Sequence, residues 1–260
     1  MSIIQPVTAQ PFTGMLPQPI PRPRRNWPAA FAALRRLLAD KDSTGEVFNI
    51  MAALNGNATW DAYHRLLTTA EGGQLAFRRE EIAALLSDRA WLATLPADSL
   101  GRAYLNHVEG SNISAEGLIA VSSHVMRGVD HPVAWFGRRI RDVHDLWHVL
   151  AGYGTDGLGE ACLVAFSYRQ TGGLGWAFIA VGAALKSLTA VERQPYARAI
   201  FEGWQRGRRC AWLGQLDYAA LLPQPLEAVR AGLGLAPPRI YGRIPMHARL
   251  GAIPKADGSA

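Results

Sequence analysis

The 260-residue sequence is poor in cysteine, in lysine and in long apolar runs. Its two cysteines, Cys162 and Cys210, have no paired spacing, so we expect small apolar residues in a reducing compartment rather than a disulfide or a zinc clip. The longest central apolar run, Leu174–Leu185, has twelve residues, well short of the roughly 20 that cross a bilayer. These scarcities argue against a disulfide framework and against a membrane span at that run.

Positive charge comes almost wholly from arginine, with 24 arginines against three lysines and a formal net charge of +6. The arginines are scattered and form no basic patch interleaved with aromatic residues, so we predict no nucleic-acid partner. Acidic substrates are another general possibility, and a basic face that meets anionic lipid suits such a balance better. We expect no secretory leader, and seven prolines among the first 28 residues argue against a mitochondrial transit peptide.

Hydrophobic residues make up 49% of the sequence and charged residues 18%, and β-branched runs of strand type are nearly absent. Apolar side chains recur at helical spacing, so we predict an all-α fold, a single-domain multi-helix bundle. We expect a flexible Pro/Arg-rich tail over residues 1–26, a helical domain over 27–236 and an irregular C-terminal tail over 237–260. Capping-box patterns, Ser43 with Glu46 and Thr189 with Glu192, predict two helix starts.

The residues with the clearest chemistry lie in one stretch, His144–His148, with Glu160 twelve residues further along. In a helix, positions i and i+4 share a face, so the two imidazoles can converge on one ion, with Asp145 on the same arc. Two imidazoles with one or two carboxylates suit a divalent ion. The sequence therefore predicts a metal site.

The surrounding residues predict how this stretch is placed. One helix is expected to start near Asp130 and run to about Ala151. Its core-facing stripe comprises Ile140, Val143, Trp147 and Leu150. Gly152 then stops this helix and Asp156 caps the next. Because two helices joined by a short loop tend to fold back, we predict a metal site on an antiparallel helix pair, with Glu160 near His148.

Several stretches resemble one known family. The pattern His-Asp-x-x-His, eleven residues, then Glu is similar to the signature of the ubiquinone (coenzyme Q) biosynthesis protein 4 family. Further similar stretches are Asp42–Phe48, Leu95–Tyr104, Pro225–Arg230 and Leu233–Leu235. The resemblance covers about residues 27–238, in order. It departs at Asp217-Tyr218, where members often carry Trp-Glu, so this position receives no role.

The resemblance implies a bacterial-type member that acts in ubiquinone biosynthesis. The implied activity is a metal-dependent, oxidative C1 decarboxylation of a polyprenylated 4-hydroxybenzoate-type intermediate, which is the work of a carbon–carbon lyase. The alternative is a non-catalytic lipid-binding scaffold that organises the biosynthetic complex. A third hypothesis, a helical metal-dependent phosphohydrolase, is weaker because such enzymes need further ligands far apart in sequence.

The expected partners follow from the same resemblance. They are a polyprenylated quinone precursor, other ubiquinone biosynthesis enzymes and the cytoplasmic face of the bacterial inner membrane, which the protein contacts peripherally. A homodimer is left open. The lipid tail of the precursor needs an apolar channel, for which the glycines near Phe178 leave room; close helix packing through glycine is the alternative. These glycines are Gly172, Gly173, Gly175 and Gly182.

The predicted metal ligands are His144, Asp145, His148 and Glu160. Zinc is the first choice, with cobalt, manganese or iron as alternatives. Asp145 is also a candidate catalytic residue, or it orients a ligand histidine instead of binding the ion. Arg141 is a candidate catalytic and substrate-binding residue that pairs with the substrate carboxylate. The alternative for Arg141 is a salt bridge to a nearby acid. Tyr153 is a candidate substrate contact, and the alternative is a role in forming the turn.

The remaining histidines lack spaced partners and are predicted to be structural: His64, His107, His124, His131 and His247.

Overall fold

The computed structural model describes residues 24–40, 43–111, 131–190 and 192–251. Within these ranges the regular structure is helical, and the β-type pairing is an isolated bridge between Ser99 and Pro225. The predicted all-α fold is confirmed. The helices, numbered in chain order, are α1 Trp27–Ala39, α2 Thr44–Leu54, α3 Ala58–Leu67, α4 Ala70–Arg78, α5 Ile82–Ser87, α6 Arg89–Thr94, α7 Leu100–Ser111, α8 Pro132–Asp142, α9 His144–Ala151, α10 Gly157–Thr171, α11 Leu174–Ser187, α12 Tyr196–Arg209, α13 Tyr218–Leu221, α14 Leu226–Gly232, α15 Arg239–Arg243 and α16 Met246–Gly251, with a 3₁₀ turn at Leu213–Gln215.

Helix α10 lies at the centre of the core. Most of its side chains are buried, and α11 and α12 pack against it. Helix α12 approaches closely because a Cβ at Gly203 would lie 2.4 Å from the carbonyl oxygen of Cys162, and one at Gly207 2.4 Å from that of Phe166. Glycine at these two positions therefore sets the distance between the helices. A second, smaller apolar cluster around Trp135 lies between α3, α4 and α8.

The stretch Leu95–Tyr104, which carries part of the family resemblance, anchors the start of α7. The N–H groups of Leu100 and Gly101 donate to the carbonyl oxygens of Gln224 and Leu222. A Cβ at residue 101 would lie 3.0 Å from the Leu222 oxygen, so glycine permits this approach. Two stretches far apart in sequence thus form one unit that holds α7 in place.

The long helix predicted to end at Ala151 is broken at Val143. The φ and ψ angles of Val143, −88° and 4°, leave the α-helical region, so α8 ends at Asp142 and α9 begins at His144. Val143 is fully buried, and its packing in the core holds the junction. The predicted start near Asp130 lies outside the described residues. The motif therefore occupies a short helix of its own rather than the end of a long one.

Neither predicted capping box forms. Ser43 makes no side-chain cap bond, and Glu46 instead pairs with Arg36 of α1, with 2.6 Å between Nε and Oε1. The helix predicted after Thr189 begins only at Tyr196, behind Pro195. In both places tertiary contacts or a proline replaced the local cap.

The C-terminal segment predicted to be irregular contains α15 and α16. These helices form because their apolar side chains join the main core, namely Tyr241, Ile244 and Ala248. Residues 252–260 of that predicted tail, and residues 1–23 of the predicted N-terminal tail, lie outside the described part of the chain.

Helix α11 packs closely against α2 at Gly175 and against α1 at Gly182. A Cβ at Gly175 would lie 2.7 Å from Met51 Sδ, and one at Gly182 would lie 2.9 Å from Leu34. At these two positions glycine serves close packing rather than a channel. No helix among the described residues is both long and apolar enough to pass through a membrane.

One apolar surface remains exposed on α1 and α11. Phe178 of α11 meets Trp27 and Phe31 of α1 edge to face, with ring centroids 5.9 and 4.9 Å apart. Along α11 the exposed stripe continues in helical spacing. We call this surface the α1/α11 face; it comprises Trp27, Phe31, Phe178, Val181, Leu185 and Leu188.

Candidate metal centre

The chain between α9 and α10 turns so that both helices present polar side chains to one place. Gly152 ends α9 in the left-handed region, with φ 72°, which glycine adopts at little cost. Asp156 caps α10 by accepting a hydrogen bond from the N–H of Gly159. Glu160 consequently lies in the first turn of α10, with Oε1 3.3 Å from Nε2 of His148. The two helices meet at this pair, as the spacing predicted.

Three residues of α9, namely His144, Asp145 and His148, form one cluster of polar side chains with Glu160 of α10, and we call it the cluster. Ligand atoms of His144, Asp145 and His148 all lie within 4.8 Å of one another. His144 Nδ1 is 3.3 Å from Asp145 Oδ1, and the two imidazole rings meet edge to face with centroids 5.0 Å apart. Nitrogen and carboxylate oxygen donors of this kind are the ligands that zinc takes in catalytic sites.

Helix α9 is buried on its polar side as well as on its apolar side. An amphipathic helix at the protein surface would instead expose its polar side to solvent. His148 is 1% exposed and Asp145 is also buried, but the Glu160 side chain keeps 41% of its surface exposed. The cluster is therefore a recess in which Glu160 forms the solvent-facing edge.

The hydrogen bonds of His148 define which of its nitrogens is available. Nδ1 lies 3.2 Å from the carbonyl oxygen of Tyr153, and because a carbonyl only accepts, Nδ1 carries a proton. Nε2 is buried and makes no hydrogen bond to the described residues. It faces Oε1 of Glu160 at 3.3 Å, so either a proton on Nε2 or a cation between the two atoms would satisfy both of them. The residues present therefore fit a divalent metal ion.

The electrostatics of the cluster favour ionised carboxylates. Burial by itself would raise the pKa of Asp145, but the hydrogen bond and charge of His144 outweigh it and lower that pKa. Desolvation likewise acts to raise the pKa of Glu160, and His148 lowers it overall. Burial acts to lower the pKa of His148, yet the charges of Glu160 and Asp145 raise it. Two negative charges thus face the imidazoles, and a bound cation would take the place of the His148 proton.

The predicted substrate-binding side chains have other contacts. Arg141 Nε donates to Asp142 at 2.8 Å, which is the nearby-acid pairing that the sequence left open. The ring of Tyr153 packs edge to face against Tyr241, and burial raises the pKa of its hydroxyl. Tyr153 meets the cluster through its backbone carbonyl, which holds His148. Substrate roles for Arg141 and Tyr153 stay predictions.

Two further rings border the imidazoles, and the sequence indicated neither. His107 of α7 stacks on His148, with centroids 5.3 Å apart and 27° between the planes, and burial together with His148 lowers its pKa. Trp176 of α11 stacks on His144 at 6.0 Å and 12°. Both residues come from other helices, so no local spacing could connect them with the motif.

The other histidines have separate surroundings. His131 caps α8 by accepting a hydrogen bond from the N–H of Val133, and His64 lies beside Trp60 on α3. His247 of α16 is exposed. His124 lies outside the described residues.

A helical fold that brings two imidazoles and two carboxylates together where two helices meet defines a class of protein, a helical protein with a candidate centre for a divalent cation. Residues 32–239 match the family model described as "Coenzyme Q (ubiquinone) biosynthesis protein Coq4". The chain belongs to this family, and the resemblance seen in its motifs is confirmed.

Several known proteins are similar to the chain. The "Ubiquinone biosynthesis protein COQ4 homolog, mitochondrial" of Rattus norvegicus is 34% identical over 173 residues, 65% of this chain and 62% of that relative. Its Homo sapiens counterpart is 32% identical over 184 residues, 68% of this chain and 63% of that relative. The chain thus spans less than two thirds of the length of these relatives. A Nostoc punctiforme protein, solved by crystallography as a candidate ubiquinone biosynthesis protein, shares the fold with a TM-score of 0.58 at 22% identity, over 81% of this chain and 99% of that one.

Proposed function

We propose that the protein acts in ubiquinone biosynthesis as a metal-dependent enzyme. Family membership supports the pathway, and the cluster on α9 and α10 supports the enzyme. The observation that carries the proposal is Nε2 of His148, which is buried without a hydrogen bond to the described residues and lies 3.3 Å from Glu160. Buried polar atoms are satisfied in folded proteins, and an ion would satisfy this one.

His144, Asp145, His148 and Glu160 would hold the ion, with zinc as first choice and cobalt, manganese or iron as alternatives. When bound, such an ion supplies a Lewis acid that stabilises negative charge on a substrate oxygen. The Tyr153 carbonyl orients His148, and Asp145 either contributes an oxygen or orients His144 through their 3.3 Å contact. Glu160, at the exposed edge, lies where a substrate would enter.

The proposed reaction removes the C1 carboxylate of a polyprenylated 4-hydroxybenzoate-type intermediate. The bond between C1 and the carboxyl carbon breaks to release carbon dioxide, and a bond forms between C1 and the oxygen of a water molecule, which releases a proton. The ring carbon thereby loses two electrons, which pass to a two-electron acceptor such as dioxygen. Arg141 is the candidate partner of the departing carboxylate, for which it would exchange Asp142.

The isoprenoid tail of such a substrate confines it to a membrane, so we propose that the α1/α11 face contacts the bilayer surface. On this face Phe31 is 59% and Leu185 62% exposed, and contiguous apolar surface of this kind marks interaction sites. Arg24, Arg25 and Arg35 are exposed on α1 or just before it, and their charge complements anionic headgroups. Other ubiquinone biosynthesis enzymes would be met on the same membrane.

Glu160→Gln tests the proposal, with Glu227→Gln on α14, an exposed glutamate, as the matched control. Cells that depend on this protein are expected to lose ubiquinone and to accumulate the C1-carboxylated intermediate with E160Q, but not with E227Q. Purified E160Q is expected to keep its helical content while elemental analysis shows loss of bound metal.

The other hypotheses predict different results. If a folded, metal-free E160Q protein still supports ubiquinone production, the hypothesis of a metal-dependent enzyme is wrong. The hypothesis of a lipid-binding scaffold then remains. Unfolding of E160Q with loss of partner enzymes would indicate an ion that serves structure alone. Robust metal-dependent phosphatase turnover by the wild type would indicate the helical phosphohydrolase.

A further inference from the structure

We propose that His107 and Trp176 are positioning residues that fix the ring planes of the two imidazoles in the candidate metal centre. This inference rests on the proposed function, because it concerns how that centre is held. Each imidazole has one of these rings against its face: His107 stacks on His148, and Trp176 stacks on His144. The two stacking rings come from α7 and α11, outside the helices that carry the ligands.

The orientation of the imidazoles decides whether they can bind one ion. The lone pair of an imidazole nitrogen lies in the ring plane, so a rotation of either ring carries it away from a shared ion. His144 and His148 stand at 78° to each other, with centroids 5.0 Å apart. The hydrogen bond from Nδ1 to the Tyr153 carbonyl holds one edge of His148, but it leaves the face of the ring to be supported by something else.

His107 supports that face. Its plane is inclined by only 27° to that of His148 and the two rings are stacked, so the contact that His107 makes is with the face of the imidazole and not with the ring edge that carries its nitrogen lone pairs. His107 therefore acts through His148. It is carried on α7, whose N-terminus is fixed by the hydrogen bonds of Leu100 and Gly101. The neighbouring residue Val108 is buried in the core, so the ring is presented from a rigid helix.

Trp176 supports the other imidazole in the same way. Its plane is within 12° of that of His144, and it lies in the first turn of α11. This turn packs tightly, because a Cβ at Gly173 would lie 2.7 Å from Oδ1 of Asn55, which accepts a hydrogen bond from the N–H of Gly175. The backbone that carries the indole is thus anchored to Asn55, at the end of α2.

Matched substitutions distinguish the effect of a planar ring from the effect of side-chain size alone. Phe keeps a planar face without ring nitrogens, and Leu keeps bulk without a planar face. In metal-free full-length protein titrated with Co²⁺, H107L and W176L are expected to bind about tenfold more weakly than the wild type. H107F and W176F should stay within about threefold. The visible absorption bands of bound Co²⁺ should change shape in the Leu variants and remain unchanged in the Phe variants.

A second measurement does not need the ion. Nitrogen NMR of the histidine rings in metal-free protein, at a pH where the spectrum shows His148 to be neutral, reports which nitrogen carries the proton. Wild type and H107F are expected to show His148 protonated at Nδ1 alone, as its bond to Tyr153 requires, and H107L a mixture of both forms. Circular dichroism checks that every variant is folded.

Three results would overturn the inference. Wild-type affinity and spectra in the Leu variants would show that the rings position nothing. An H107F protein as weak as H107L would show that His107 acts through a nitrogen. A single His148 tautomer in H107L would show that stacking does not hold the ring. If the wild type binds no Co²⁺, the proposed metal function fails, and the NMR comparison alone decides whether His107 holds His148.

Discussion

The cluster on α9 and α10 and the α1/α11 face depart from the usual distribution of side chains in opposite directions. The cluster buries the imidazole of His148 and the carboxylate of Asp145, whereas the face exposes aromatic rings and leucines. Burying polar groups and exposing apolar ones both cost stability. Since folding by itself favours neither arrangement, each indicates a place where the protein meets something else, a cation inside and an apolar surface outside.

Helix α11 takes part in both regions. Trp176 in its first turn stacks on His144, and Phe178 and Leu185 further along belong to the exposed face. One helix therefore connects the surface proposed to meet the membrane with the recess proposed to hold the ion. The proposed substrate also has an apolar part and a polar part, because its isoprenoid tail would lie in the membrane and its ring would reach the ion.

The strongest test of the cluster is Gly159→Ala. A Cβ there would lie 2.1 Å from the carbonyl oxygen of Gly154, and a backbone atom cannot move aside as a side chain does. We expect the free energy of unfolding to fall by about 3 kcal/mol, measured by urea denaturation, with loss of metal binding as Glu160 shifts. Gly73→Ala is the control, since nothing lies within 4 Å of that position. A G159A protein of wild-type stability would show that this contact does not hold α10 in place.

A charged side chain on the α1/α11 face should weaken membrane binding without changing the fold. Leu185→Asp is expected to weaken binding to vesicles of anionic phospholipid by about tenfold, because a buried leucine contributes roughly 1.5–3 kcal/mol. Vesicle co-sedimentation measures this, and circular dichroism should be unchanged. Phe77→Asp is the matched control, because Phe77 is 87% exposed but lies on α4, outside the face. Equal loss in both variants, or none in L185D, would contradict docking through the α1/α11 face.

A milder substitution compares how tightly the two regions are packed. A Cβ at Gly182 would lie 2.9 Å from the end of the Leu34 side chain, which can shift. Gly182→Ala is therefore expected to cost about 1 kcal/mol in thermal unfolding, with metal binding intact. A cost as large as that of G159A would mean that α1 and α11 are packed as rigidly as the cluster.

The smallest expected effect is a pH dependence in the metal-free protein. The lowered pKa of Glu160 stabilises the fold above about pH 4.3, and this contribution is lost as the pH falls. The raised pKa of His148 stabilises it below about pH 6.5, and that contribution is lost as the pH rises. The difference in unfolding free energy between wild type and E160Q should therefore be greatest near about pH 5–6. Urea unfolding with a chelator measures it, and a difference that does not vary with pH would contradict the ion pair.

The local signals at the turn between α9 and α10 agree with the structure, whereas those for the two capping boxes do not. The stop at Gly152 and the cap at Asp156 depend on backbone conformation and on one nearby hydrogen bond, so they were visible in the sequence. The break at Val143 and the helices α15 and α16 depend on burial against distant residues. His107 illustrates the limit most clearly, because its role next to His148 comes from α7 and not from any spacing.

The amino-acid sequence by itself determined the helical class, the family and the four donors that meet where α9 joins α10, because helical periodicity, capping and the i to i+4 relation act over a few residues. Only the tertiary structure decided that those donors lie in a buried recess, that rings from α7 and α11 stack on the imidazoles, and that α1 and α11 leave an apolar face exposed. These features arise from contacts between helices distant in sequence, and such contacts are set by the packing of the whole core.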